Sequence, residues 1–340
     1  MDQTYMKEQP ILKLIVSMAL PMVISMMVSS LYNIVDSFFI ARISEDAMTA
    51  LSLVYPVQNL INAVMIGFGI GINAVISFYL GAQDKKMADR AATQGMLLGT
   101  IHGVGFMILG IAVMRPFLQM FTGNAQIVDY GVRYSRIAFL FATALSWQLV
   151  FEKTFQAVGR MVESMTCMMS GAIINIILDP IFIFALGMGV KGAALATVLS
   201  QTVGAVWILR FLTGKKTILR LKRSNMHLDP KVFGPCLALG ISTFVMLSTE
   251  SLLSISFTSS LSRFGGDVAV GAMTIITSIS QLVTLPLQGI CQGGQPIISY
   301  NFGANKPDRV KKAFFTQFCT CVIYTTAFWL VVMIFPKAFA

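Results

Sequence analysis

Four acidic residues, Asp36, Glu152, Asp179 and Glu250, lie inside long apolar stretches. A carboxylate at the centre of a membrane helix costs about 2.5–3.5 kcal/mol on insertion scales, so such groups face a bundle interior or a wet cavity, where they can carry a proton or hold a cation. Ser25, Ser29, Asn33 and Asp36 follow one another at spacings of four, four and three. That spacing puts them on one face of a helix, beyond a bend expected at Pro21. Asn175 and Asp179 are one turn apart, and Pro180 removes the backbone donor just past Asp179, freeing a carbonyl one turn earlier. Oxygens so gathered describe a cation pocket. A stripe of Thr274, Gln281, Thr284, Gln288, Gln292 and Gln295 ends at Pro296, and Tyr55, Asn59, Asn62 and Asn73 form a similar stripe nearer the N-terminus. Asn33, Asn59, Asn62, Glu152, Gln281, Gln288 and Gln292 are therefore the expected lining of a substrate cavity. For Glu152, beside Lys153, a place close to the membrane interface is the equal alternative.

The elements that position these residues follow from composition. Of 340 residues 56% are hydrophobic and 12% charged, against roughly 25% charged in a soluble domain. This excludes a soluble globular enzyme, a disordered chain and a disulfide-rich module. Nine apolar runs are long enough to cross a bilayer: 11–41, 50–80, 93–114, 131–158, 161–186, 189–212, 231–262, 268–300 and 311–336. The first leads directly into polar residues at membrane depth and has no small-residue cleavage site, so it is read as a span. With a cytoplasmic N-terminus, 18 of the 25 Lys and Arg residues fall on the inner side, as the positive-inside rule requires. The net charge of +10 then belongs to loops in a multi-pass plasma-membrane protein and implies no nucleic-acid partner. The richest loop, Thr213 to Pro230, contains Lys215, Lys216, Arg220, Lys222 and Arg223, suited to anionic lipid headgroups.

An internal repeat sets the organisation. Gly81-Ala82 recurs as Gly303-Ala304, an offset of 222 residues that also matches Gly67 with Gly289, Gly71 with Gly293, Ser77 with Ser299 and Asn73 with Gln295. Six spans separate the copies, which gives a parallel repeat. Residues 1–212 form one six-helix lobe, 213–230 a cytoplasmic linker, and 231–340 the first three helices of a second lobe. The chain is expected to stop about three helices short of a full second copy. The glycine pairs Gly67/Gly71, Gly99/Gly103 and Gly289/Gly293 are expected to mark close helix contacts.

Other chemistry lacks its motifs. Gly187-Met-Gly-Val-Lys-Gly192 has dinucleotide-site spacing but joins two spans, and reads as a tight loop. Neither a phosphate-binding loop nor a zinc-protease motif occurs, and the only histidines are His102 and His227. The five cysteines have no metal-ligand spacing. No enzyme activity, resident metal or cofactor is expected.

Leu31-Tyr-Asn-Ile-Val-Asp36, Asn175-Ile-Ile-Leu-Asp-Pro180, Lys191-Gly-Ala-Ala-Leu-Ala-Thr197 and Gln295-Pro-Ile-Ile-Ser-Tyr-Asn-Phe-Gly-Ala304 together carry a resemblance to the multidrug and toxic compound extrusion (MATE) transporters, nearest the MepA-type branch. The resemblance implies an all-α integral membrane protein with a MATE-like bundle, here a complete N-lobe and a partial second lobe. It further implies a monomeric antiporter that expels organic cations in exchange for H⁺ or Na⁺ by alternating access. In such proteins a network corresponding to Tyr32, Asp36, Tyr134, Asn175, Asp179 and Thr197 handles the coupling ion, and oxygens at Asp36 and Asp179 suit Na⁺ as well as a proton. Some members carry an acid in the seventh helix ten residues after a glycine, the relation of Gly240 to Glu250. Glu152 departs from a position that is often Asn. A lipid-linked oligosaccharide flippase of the same superfold would want a cationic cavity, whereas these membrane-depth acids are negative; an inactive truncated remnant is the other alternative.

Overall fold

A computed structural model describes residues 4–212 and 217–335. Lys215 and Lys216 lie outside the described residues, as does the side chain of Thr274. Among the described residues there are helices and no strand: α1 (Tyr5–Glu8), α2 (Ile11–Ala41), α3 (Glu45–Gly81), α4 (Lys85–Phe121), α5 (Ala125–Leu140), α6 (Ala142–Ala157), α7 (Met161–Pro180), α8 (Val190–Leu212), α9 (Pro230–Gly303) and α10 (Pro307–Ile334). Side-chain caps set several starts: Ser44 accepts from the Ala47 N–H, Asp84 from Met87, Asn124 from Gln126 and Asp229 from Lys231. Gly187 and Gly189 take φ of +62° and +56° in the turn before α8, a conformation open to glycine without strain, so the expected tight loop is present.

Seven helices are long and apolar enough to cross a membrane. Three of the nine expected runs take a different form. The run 131–158 is interrupted at Phe141, leaving α5 and α6 with 16 residues each, about 24 Å apiece and too short to cross alone. The break brings the first turn of α6 against α4, where a Cβ on Gly103 would sit 2.5 Å from the Thr143 Cα. No proline or glycine marks the break, so its signal lies in packing. Runs 231–262 and 268–300, expected as separate spans, share the continuous helical element α9 of 74 residues. Straight, it would measure about 110 Å. Yet Gly71 packs on Cys236 near its start and Gly81 on Tyr300 near its end, and those two glycines are only about 15 Å apart along α3. The helical backbone of α9 therefore doubles back, and its two legs lie antiparallel.

The repeat has a direct structural counterpart. A Cβ at Gly81 would strike the Tyr300 carbonyl, and one at Gly303 would strike the Phe78 carbonyl; 300 is 78 shifted by the repeat offset and 303 is 81 shifted by it. The contact is reciprocal, as a twofold relation between α3 and the second leg of α9 demands. Gly71 meets Cys236 while Gly293 meets Ala19, and Gly67 meets Gly240 while Gly289 meets Val23. All six glycines of the expected pairs abut another helix, with Gly99 set against Val150 at 2.9 Å.

One end of the bundle gathers the N-terminus and three turns. Tyr5 donates to the Gly159 carbonyl at 3.3 Å, and Arg309 donates to the Met6 and Gln9 carbonyls at 3.2 and 2.8 Å. Asn301 also donates to Met6, at 3.0 Å. Burial, then the Glu163 carboxylate, pushes the Tyr5 phenol up to about 12, so it stays a donor. The linker is held at the same end. Asp89, 2% exposed, accepts from the Arg220 N–H at 2.9 Å and pairs with Lys222 at 3.4 Å. Thr93 and Gln94 accept from the backbone of Lys222 and Asp229 at 3.2 and 3.3 Å. Asp89→Ala removes the acceptor of the Arg220 N–H and the partner of Lys222, a loss of about 0.5–1.5 kcal/mol. Segment 217–229 is then expected to be cut faster by trypsin in membrane vesicles, with cleavage at the parent rate refuting this anchoring.

Candidate functional site

Pro180 cannot donate to the Ile176 carbonyl, and immediately after it the chain widens into a π-helical turn, Ile181–Ala185. Asp179 and Asn175, 0% and 1% exposed, therefore sit on the last regular turn of α7. Asp36 reaches them from α2, with its carboxyl close to that of Asp179. With its amide nitrogen turned toward Asp179, Asn175 donates to Asp179 Oδ2 at 3.1 Å and accepts from Thr197 N and Oγ1 at 3.2 and 3.3 Å. Oδ1 of Asp36 and Oδ1 of Asp179 are buried without a hydrogen-bond partner. Two partnerless carboxyl oxygens on adjoining residues are what a proton or small hard cation would satisfy.

Tyr32 from α2 and Tyr134 from α5 lie close enough for their phenols to feel both carboxylates. Tyr134 is also hydrogen-bonded to Gln58 of α3. Gln58 was not among the expected residues, although it adjoins the Asn59 stripe. The structure thus brings together Tyr32, Asp36, Tyr134, Asn175, Asp179 and Thr197 from α2, α5, α7 and α8.

The remaining candidates disperse. Asn33 and Gln281 are exposed, and Asn59, Asn62 and Gln288 are half-buried. Glu250 is exposed on α9. Glu152 and Lys153 are buried within the bundle, 4% and 3% exposed. They form an ion pair at 3.7 Å within a polar cluster that includes Gln156, Ser164 and Gln292. Gln156 was not among the expected residues, although it stands one helical turn from Glu152. Among the described residues no group of three His, Cys, Asp or Glu side chains forms a metal site.

A sequence profile described as MatE matches residues 21–181 and 242–340. The chain belongs to the MatE family. This MatE protein is 27% identical over 303 residues to a protein named "Multidrug export protein MepA" from Staphylococcus haemolyticus, the match covering 89% of the present chain and 67% of that one. A protein of the same name from Staphylococcus saprophyticus is 24% identical over 336 residues, covering 96% and 74%. Among solved structures, an outward-facing multidrug resistance MATE family transporter of the MOP superfamily superposes with a TM-score of 0.94 at 25% identity. It covers 100% of the MatE chain and 76% of its own. A MOP superfamily transporter from Pyrococcus furiosus, described as having a binding pocket of reverse polarity suggesting a different function, gives 0.93 at 25% identity, covering 100% and 75%. The MatE protein is a membrane transporter by family and by its apolar helices.

Proposed function

We propose that this MatE protein is a secondary antiporter that exports amphipathic organic cations in exchange for H⁺ or Na⁺. The observation that carries the reading is the Asp36–Asp179 pair between α2 and α7, Asp179 buried and Asp36 half-buried, with a partnerless buried oxygen on each residue. Coupling needs a site whose occupancy changes the relative stability of two conformations. A proton or Na⁺ entering the pair alters the contact between α2 and α7, and that change moves the bundle between outward- and inward-open forms. In this reading residues 1–212 act as one lobe and 231–340 as part of the other, joined by the linker 213–230. The N-terminus and the basic linker face the cytoplasm of a plasma-membrane protein. Staphylococcal relatives named for multidrug export support the substrate class. Acidic rather than basic side chains at the pair favour cations over the pyrophosphate of a lipid-linked sugar.

The test is efflux of a fluorescent organic cation from vesicles containing the 340 residues, energised by a pH gradient or by a sodium gradient. Transport under one gradient names the ion. Absence of transport under both, with the protein shown to be inserted, refutes the antiporter reading for this chain.

A further inference from the structure

The Glu152–Lys153 cluster lies away from the Asp36–Asp179 pair, and ion coupling makes no use of it. Lys153 Nζ donates to Gln156 Oε1 at 2.9 Å and, across to the second leg of α9, to Gln292 Oε1 at 2.7 Å. Gln156 Nε2 donates to Glu152 Oε1 at 2.8 Å and to the same Gln292 oxygen at 3.4 Å. The lysine stem reaches α9 by crossing α3 at Gly69, where a Cβ would lie 2.9 Å from Lys153 Cγ. One turn along α9, Gln295 donates to the Ile70 carbonyl of α3 at 2.9 Å. Three helices thus meet at one level, and the Lys153 ammonium, on a residue 3% exposed, donates its shortest hydrogen bond to a residue far along the chain.

We infer that Lys153, passing through the notch at Gly69 and bonded to Gln292, is a positioning residue that latches residues 1–212 to the second leg of α9 in the conformation seen here. Its basis is chemical asymmetry. Glu152 and Gln156 satisfy the ammonium within its own helix, so the cation stays paired when α9 moves away. Gln292 supplies a neutral acceptor, which holds the lysine by a bond weak enough to break in each cycle. A buried hydrophobic contact would offer no such discrete closed state, and a full ion pair across the gap would resist opening. The latch rests on the alternating-access reading, but its test needs no transported drug.

Cys236 is the native reporter. It is 2% exposed, and its backbone packs on Gly71, two residues along α3 from the notch. In a background with Cys167, Cys291, Cys319 and Cys321 changed to alanine, Cys236 labelling by N-ethylmaleimide in membrane vesicles reports separation of α3 from the first leg of α9, which moves together with the second leg when residues 231–340 swing as one lobe. Lys153→Met is expected to raise the labelling rate about fivefold, the low end of conformational coupling. Gln292→Glu keeps the oxygen that accepts from Lys153 and Gln156 but makes it a carboxylate, and is expected to slow labelling below the parent. Opposite shifts are not produced by general loosening. Parent rates in both variants, or shifts of the same sign, overturn the latch. Where Lys153→Met fails to accumulate, Gln292→Leu decides in its place: faster labelling supports the latch and the parent rate overturns it. A chain that exports no drug refutes the antiporter reading alone, whereas unchanged labelling refutes the latch alone.

Discussion

Asp36→Asn is expected to lower gradient-driven efflux by at least about tenfold while drug binding persists, because a coupling energy in the 1–3 kcal/mol range is removed with the group that carries it. Asparagine matches aspartate in shape and keeps one acceptor oxygen, but it can neither gain and lose a proton nor offer a negative charge to Na⁺. Asparagine fills the same space beside the Asp179 carboxyl, so the loss is expected to fall on coupling. Asp179→Asn is expected to give a loss of the same size. It also replaces the acceptor for the Asn175 amide at Oδ2, so some fall in thermal stability accompanies it. The double variant is expected to be no worse than either single one, since the carboxyls act as a unit and their effects do not add. Efflux from fluorescent-cation-loaded vesicles measures all three. An Asp36→Asn protein that still exports in proportion to the imposed gradient would place the coupling ion elsewhere.

Valine at Gly81 or Gly303 is the second large expected effect. At Gly81 a Cβ would lie 2.7 Å from the Tyr300 carbonyl carbon and 3.0 Å from its Cα, and at Gly303 it would lie 2.8 Å from the Phe78 carbonyl carbon. These are backbone atoms of packed helices, which cannot swing aside as the end of a side chain does. Overpacking of this kind costs about 1–3 kcal/mol. Both substitutions strain the same crossing of α3 with α9, so the pair is expected to cost less than the sum of its parts. Gly105 is the control, for a Cβ there meets nothing within 4 Å. Melting in detergent should fall for Gly81→Val and Gly303→Val and stay near the parent for Gly105→Val. Unchanged melting at Gly81 would remove the close approach on which the reciprocal contact depends.

The residues of the Asp36 site were legible because membrane-depth acids are costly and therefore few. Asn175, Asp179 and Pro180 stand together in the chain, and their local geometry follows from helix spacing and a missing donor. Their meeting with Asp36 is a different matter. Four helices distant in sequence converge there, and the resemblance to MATE transporters, rather than spacing, supplied Tyr32, Tyr134 and Thr197. Gln58 stayed unassigned because one polar residue beside an Asn stripe does not show which neighbour its amide will meet. The repeat was legible for a stronger reason. Glycines at a constant offset leave a trace wherever two backbones touch, and the reciprocal contacts of Gly81 and Gly303 account for why no larger residue stands at either position.

Sequence by itself determined that this protein lives in a membrane, that its spans are helical and that acidic residues stand within them. Each of these follows from transfer energies or from the helical period, which act residue by residue. Tertiary structure alone decided the break at Phe141, the doubling back of α9 through helical backbone, and the burial of Lys153. Lysine beside glutamate reads as an interfacial pair because a buried ammonium is expensive. Burial becomes tolerable only when Gln156, Gln292 and the empty space over Gly69 are assembled around it, and those partners come from three helices that the chain brings together only on folding.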